Sequence, residues 1–592
     1  MKFTLRNHMP GRKKLRIPKS PVFGLALLIL AIFLGIRFGP ELPFGKGGSK
    51  EFNQFLSEVF VKEASANTMN LHFTLSDPAS VGITDYDITF GDFSEAARKN
   101  SIHETRELRA KLDDFSYRSL NADEKLVYDV LKDYLDRQIR LDDYFLYDEV
   151  LTPSGGASSQ LPILLAEYPF NTKRDVEDYL ALLAQTDTYF SQLLEFEQEK
   201  ADAGLFMSDA CCDKVIDSCE VFVLHPADNF LITTFENRLS SVEGLSASEI
   251  EDLTARNREV IADHVIPAYQ AMITGLTRLM GCGRNNWGLC NYDDGKEYYS
   301  ALVAYYTGCN ESVKELAEMI EEKRTEDLTV CSEILAKSPD LLSKSENIKL
   351  NFNDEAAMVE HLEEAILADF PEPPSTQWEV VHVDPSLADY LAPAFYITAP
   401  IDNYLKNRIY INNAADYDSL YLFTTLAHEG FPGHLYQTVA SYSYGMNPLH
   451  TMLNYPGFTE GWATYVEMQA YYYAGIDEDL ASLLQHNQSA MLSLYATSDI
   501  GIHYLGWGKS DMQKFWVDYG ITSEETVDAI TALVLEEPGN YLKYYVGYLK
   551  FDQLRAACEE KQKEAFDPVA FHEEILKIGP APFALIEKKL LK

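Results

Sequence analysis

Positive charge is what this sequence is shortest of: Lys and Arg total 50 against 91 Asp and Glu, a formal net charge of -41 over 592 residues. Seven of the cations, Lys2, Arg6, Arg12, Lys13, Lys14, Arg16 and Lys19, stand in an N-terminal stretch with no acid, so the remainder carries -48, which is -41 less those seven. A body that acidic repels phosphate and makes DNA, RNA and anionic lipid poor partners. No C-x-x-C pair occurs, which argues against a metal held by cysteines. Internal repeats and long low-complexity tracts are absent as well. What remains is a chain of 46% hydrophobic and 12% aromatic residues, long enough to bury a large core and folded as a globular protein.

One apolar run stands out. Ser20 to Ile36 carries no charge and follows the basic N-terminus directly. Seventeen residues rising about 1.5 Å each lie near the lower limit for crossing a hydrocarbon layer of about 30 Å. Positive charge ahead of the run predicts a cytoplasmic N-terminus and export of everything after it. No A-x-A cleavage signal follows, so the expectation is an uncleaved single-pass anchor at the cell membrane, with a cleaved secretory signal as the alternative. The eight cysteines fit export and suggest disulfides, Cys282 with Cys290 being the best single pairing because it closes the short loop C-G-R-N-N-W-G-L-C. Free buried cysteines are the alternative.

Along the chain, Gly45 to Lys50 reads as a flexible spacer. Apolar residues three and four apart predict helices from Glu51 to about Asp148, again from Val176, through Ile250 to Met280, and from Glu311 to Leu335. Thr152 to Pro162, rich in small residues, reads as a loop that either lines a cleft or simply connects. Trp378 to Asn413 contains short β-branched and aromatic runs bounded by Pro and Asn, which predict a small sheet directly before His428. Within it Arg408 to Asn412 is either an edge strand able to pair with an extended substrate or interior sheet. Helix follows again to the C-terminus. The expected division is 1–50 for tail, anchor and linker, and 51–592 for one domain, helical over 51–375 with the sheet and a metal site over 376–592.

The stretch T-L-A-H-E-G-F-P-G-H-L-Y-Q puts His428, Glu429 and His434 within seven residues. Imidazole is the commonest ligand for a zinc-like ion, and a neighbouring carboxylate can take a proton from a water at the metal. In the usual H-E-x-x-H helix the histidines are four apart, about 400° of turn, and share a face; six apart is about 600°, which on a regular helix points them away from each other. Pro432 and Gly433 lie between them, and a helix bulged there would bring His434 back beside His428. Glu460, in F-T-E-G-W-A-T-Y-V-E, is the candidate third metal ligand, against the plainer reading of an acid favoured in the first turn of a helix. Glu467, seven residues on, lies two turns along the same face and would orient a ligand or replace one. His382 and His450 are read as structural.

Together H-E-G-F-P-G-H-L-Y-Q, T-E-G-W-A-T-Y-V-E and P-G-N-Y-L-K-Y-Y-V-G-Y-L-K-F-D-Q-L-R resemble a bacterial family known as domain of unknown function 885, with its motifs H-E-x-x-P-G-H, E-G-W-A and P-G-x-x-x-x-Y-x-x-G-x-x-x-x-x-x-x-R. The likeness runs from about Glu51 to the C-terminus. The family is similar in turn to the mainly helical zinc peptidases, which include angiotensin-converting enzyme, oligopeptidases and thermostable carboxypeptidases. The resemblance implies a mainly α, cleft-forming peptidase fold, with His428, His434 and Glu460 as zinc ligands and Glu429 as general base. It further implies Tyr544 as donor to the oxyanion and, from S-D-I-G-I-H-Y-L-G-W, His503 as a donor to the transition state or to a substrate carboxylate, oriented by Asp499 four residues earlier; the plainer readings are a packing tyrosine, one of 36 in the chain, and a satisfied core histidine. Where members of the family often carry an arginine four residues before that aspartate, this chain has Tyr495.

The expectation is therefore an exported zinc metallopeptidase acting on peptides or small amides. The alternatives are a metal-dependent hydrolase of other amides or esters, and a surface binding protein in which the metal site is structural or lost.

Overall fold

Most helices of this chain start at a polar side chain that satisfies the first free backbone N–H groups. Asn121 accepts from the Glu124 N–H at 2.9 Å while the Glu124 carboxylate accepts from the Asn121 N–H at 2.9 Å, and the helix Ala122–Asp142 follows. The same reciprocal cap opens Val313–Lys337, at Ser312 and Glu315. The computed structural model describes residues 49–346, 348–383, 392–412 and 417–591. The Ser20 to Ile36 run therefore lies outside the described residues, and among those residues no helix is long and apolar enough to cross a membrane.

The fold is mainly helical with one small sheet, as expected. Seven elements position the site: the helix Gly295–Thr307 (α1), then the strands Gln377–His382 (β1), Ala394–Tyr396 (β2) and Lys406–Ile411 (β3), then the helices Ser419–Glu429 (α2), His434–Ser443 (α3) and Pro456–Tyr473 (α4). Glu478–Ile500 (α5) and Asn540–Gln562 (α6) complete the surround.

The strands lie in the order β1-β3-β2, with β1 parallel and β2 antiparallel to β3. β3 is thus the middle strand, paired with β1 along its whole length and with β2 over Ile409–Ile411, so the edge-strand alternative falls for those three residues, while Arg408 pairs on the β1 side alone. The two-residue period of strands then sorts the side chains. Ala394, Tyr396, Ile409 and Ile411 face the core built from the N-terminal and C-terminal helices, whereas Phe395 and Tyr410 face the separate core of the middle helices, stacked with ring centroids 4.7 Å apart. The sheet is the layer on which the two cores meet.

Two expectations require correction. The segment read as a loop from Thr152 to Pro162 turns into helix at Ala157, since a cap is made by Gly156 folding tightly on Thr152, where a Cβ would come within 2.1 Å of the Thr152 nitrogen. No disulfide joins Cys282 to Cys290; all eight cysteines are free. The Cys290 thiol points at the Ile502 carbonyl at 3.3 Å while Cys282 is exposed, and Asn285 holds the intervening loop by bonds to the backbone of Trp287 and Gly288. The buried cysteines behave as small apolar groups, Cys212 against the Leu276 carbonyl and Cys331 against that of Leu483.

Candidate metal centre

α2 begins where Asp418 accepts from the N–H groups of Leu420 and Tyr421, and it is buried almost all round: Phe423, Leu426, Ala427, His428 and Glu429 are each under a tenth exposed. A helix without a polar face belongs inside a protein. It ends at Glu429. The chain then turns through Gly430, Phe431, Pro432 and Gly433, and α3 starts at His434. The two histidines therefore do not share a bulged helix, as the spacing suggested, but sit on facing ends of two separate ones. Gly433 is what allows the turn to close, because a Cβ there would fall 1.8 Å from the His428 carbonyl oxygen. Trp462 of α4 fixes the same turn from outside, its indole N–H donating to the Pro432 carbonyl at 2.8 Å.

Those constraints bring the rings of His428 and His434 to 4.9 Å, nearly perpendicular. The His428 Nε2 lies 3.7 Å and the His434 Nε2 3.5 Å from the same Oε2 of Glu460. Two atoms held about 2.1 Å from a common centre at a tetrahedral angle are about 3.4 Å apart, so these separations match the edges of a zinc-sized ligand set. Both the His428 Nε2 and the Glu460 Oε2 are buried without a hydrogen-bond partner, a condition proteins rarely tolerate. The residues present thus fit a divalent cation. On the far side of His428, Nδ1 donates to Glu467 Oε2 at 3.0 Å, the two-turn relationship expected from the sequence.

The electrostatics agree. Burial pushes the His428 imidazole down, but the carboxylates of Glu460 and Glu467 outweigh it and carry the ring up to about 10. Burial also raises Glu460, and the two histidines overcome it and hold the carboxyl at about 2. Two neutral imidazoles, His434 partly exposed, and a carboxylate together carry one negative charge, which a proton or a metal neutralises.

Glu429 takes its place from the sheet. Its Oε2 accepts from the Tyr396 N–H of β2 at 3.0 Å, and burial raises its pKa. Nothing in the sequence pointed to Tyr396, since a three-residue strand 33 positions away carries no periodic signal. Tyr544, on α6, is 7% exposed with its ring 6.4 Å from that of His428. α6 reaches this position because α4 and α6 cross at glycines: a Cβ on Gly461 would meet the Gly547 Cα at 2.4 Å, and one on Gly547 the Gly457 carbonyl oxygen at 2.2 Å. The three motifs separated in sequence are one object in space, with Glu460, Gly461 and Trp462 each answering to another of them.

His503 and Asp499 are not part of it. His503 is 1% exposed; its Nδ1 accepts from the Leu289 N–H at 3.2 Å and its Nε2 bonds the Val534 carbonyl at 2.9 Å. Both nitrogens are used within the core, and burial lowers the ring to about 4. Asp499 does not orient it, because the chain widens into a π-turn over Gly501–Leu505 and shifts the register on which a four-residue spacing would have faced them together. Asp499 instead accepts from the Tyr299 hydroxyl at 2.5 Å and from the Gly539 N–H at 2.9 Å, tying down the start of α6. Tyr495 packs on Tyr541 and Trp516. His450 is buried with Nε2 at 2.6 Å from the Pro580 carbonyl, a structural role as expected, and His382 ends β1 on an exposed position.

Comparison with known proteins places the chain by family and by fold. The model of the family described as "Bacterial protein of unknown function (DUF885)" matches residues 78–590. A crystal structure of a candidate lipoprotein from Colwellia psychrerythraea is similar at a TM-score of 0.78 and 19% identity, over 91% of this chain and 98% of that one. A candidate lipoprotein of unknown function from Shewanella oneidensis is similar at a TM-score of 0.58 and 17% identity, over 92% of this chain and 100% of that one. At such identities the likeness is one of fold. Among curated proteins nothing matches.

Proposed function

The chain belongs to this family of bacterial proteins of unknown function, and we propose that it is a zinc-dependent hydrolase, a metallopeptidase acting on peptides outside the cytoplasm. The observation that carries the reading is the pair of orphaned buried atoms, His428 Nε2 and Glu460 Oε2, with the Glu460 oxygen at ligand spacing from both His428 and His434 and a second buried carboxylate, Glu429, next in sequence to His428. His428, His434 and Glu460 would hold the ion, leaving a position for water. When bound, zinc supplies Lewis-acid polarisation of a carbonyl and acidifies a water to near neutral pH. Glu429, raised above the ordinary carboxylate range, takes the proton of the attacking water and returns it to the leaving amine, while its bond to the Tyr396 N–H fixes which oxygen does so. The Tyr544 hydroxyl donates to the carbonyl oxygen as charge develops there. A cleft formed by the surrounding helices and the distant kinship with helical zinc peptidases belong to this reading, as does anchoring at the cell surface. The basic N-terminus with its apolar run supports that location, and so do the structural neighbours described as lipoproteins.

The test is metal content and peptide hydrolysis of the purified protein beside its Glu429→Gln variant. About one zinc per chain in both, with hydrolysis reduced about 10³-fold or more in the variant, is expected. Absence of metal from both would instead favour a surface binding protein without a catalytic centre. Metal in both with no hydrolysis of peptides, amides or esters would favour a structural ion.

A further inference from the structure

The segment S-D-I-G-I-H-Y-L-G-W lies away from the metal centre, yet one of its residues reaches the helix that carries Tyr544. Asp499, on α5, is 0% exposed. Its carboxylate accepts from the Tyr299 hydroxyl at 2.5 Å and takes the Gly539 N–H on both oxygens, at 2.9 and 3.0 Å. Burial pushes the carboxyl up to about 7, and those two donors work against the rise. Gly539 is the residue on which α6 starts, at a φ of 78°, and no side chain of its own caps the helix. A carboxylate held at the positive end of a helix is a cap, supplied here by another element 40 residues away in sequence. α5 grips the same turn a second time through Tyr495, whose ring lies 4.8 Å from that of Tyr541. α1 lies beneath it, with the Tyr306 ring 3.1 Å from where a Gly539 Cβ would stand.

Tyr544 is the fifth residue of α6 and falls between two fixings, the Asp499 cap before it and the contact of Gly461 with Gly547 after it. The crossing alone would leave the first turn free to fray, as helix ends do. Side chains of a helix lean toward its N-terminus, so the Tyr544 ring rests over that first turn, where the Lys543 ammonium stands 5.2 Å from the ring centre. We propose that Asp499 is a positioning residue of the centre: by holding the first turn of α6 it keeps the Tyr544 hydroxyl where charge develops beside the metal ligands. This rests on the hydrolase reading, in which Tyr544 donates to the oxyanion. Asp499 acts only through the helix.

Two measurements on the full, zinc-loaded protein test this. The first is hydrogen exchange followed by mass spectrometry, which needs no turnover. Asp499→Asn keeps the shape of the side chain and loses its charge and one accepting oxygen. It should speed exchange of the amides of 539–544 about tenfold or more, while those of α4 exchange as in the wild type. Unchanged exchange at 539–544 overturns the proposal. The second is a double-mutant cycle read on an internally quenched penta-alanine peptide. Tyr544→Phe should lower kcat about 100-fold and Asp499→Asn about tenfold, both with KM and zinc content unchanged. Asp499→Asn added to Tyr544→Phe should lower kcat no further, because the group it positions is already gone. A further tenfold loss in the double variant makes Asp499 a matter of general stability and overturns the proposal, as does a Tyr544→Phe protein as active as the wild type. Tyr299→Phe removes one donor to Asp499 and leaves the Gly539 contact; it should repeat the pattern at smaller size, and it carries the test where Asp499→Asn does not fold. If the wild type cleaves no peptide, the hydrolase reading falls, and exchange at 539–544 still decides whether Asp499 holds the turn on which Tyr544 rests.

Discussion

Two histidines of this protein, His428 and His503, are both buried, yet their surroundings meet that confinement in opposite ways. Around His503 every polar atom is matched: two backbone partners for the ring, and a tyrosine hydroxyl and a backbone N–H for the nearby Asp499. Around His428 the matching stops short, with a ring nitrogen and a carboxylate oxygen facing each other at 3.7 Å and bonded to nothing. Burial alone therefore does not separate structural from functional histidines here; the state of the last unpaired atom does. A complete network spends its polar groups on stability, and an incomplete one reserves them for a guest.

The largest expected effect breaks the comparison if it fails. Glu460→Ala should reduce bound zinc from about one per chain to near none, and His503→Gln should leave it unchanged; metal content by mass spectrometry or atomic absorption reads both. A Glu460→Ala protein that still holds one zinc would make the two regions alike. Next in size, Glu467→Gln should weaken metal binding by roughly 10- to 100-fold, because it frees the Nδ1 side of His428; competition with a chromogenic chelator measures it. Chelation of the wild type should then lower its thermal midpoint by several degrees, since an ion present at 1,000 times its dissociation constant adds about 4 kcal/mol. The same chelator should not shift the midpoint of Glu460→Ala.

The smallest effect sharpens the other side. His503→Gln should cost about 1 to 3 kcal/mol of stability through an unpaired backbone group. Its pH dependence has a definite sign. The folded ring sits near 4, below its ordinary value of about 6.5, so the unfolded chain binds the proton more readily. The contribution is full above about pH 6.5 and declines as pH falls toward 4. The gap in denaturation midpoint between wild type and His503→Gln should therefore narrow from pH 7 to pH 5, and a widening gap would show that the ring is charged in the folded state.

What could be read in advance follows the range of each interaction along the chain. His428, Glu429 and His434 declare themselves as a cluster because they are neighbours, and Glu467 follows from Glu460 by helical spacing alone. The sheet is legible from β-branched runs between prolines and asparagines. The break between the histidines shows in Pro432 and Gly433, but its form does not, since whether a helix bulges or ends depends on the Gly433 backbone lying against the His428 carbonyl. His503 misleads because one π-turn undoes the arithmetic of a regular helix. Tyr396 is invisible for another reason: its significance lies in a partner, Glu429, that no local pattern carries. The cysteine pairing failed because composition suggests what a compartment allows, not where side chains point.

The contact between Gly461 and Gly547 has a consequence for how the centre ages through mutation. Its neighbours are Glu460 on one helix and Tyr544 on the other, and the interval between them is set by main chain lying directly on main chain. Such a joint has no rotamers to wear loose, so drift elsewhere in the core reaches it only by moving whole helices. A single methyl group at either glycine acts as a shim, and alanine at Gly547 would offer a graded way to widen the gap between ligand and hydroxyl while leaving both residues in place.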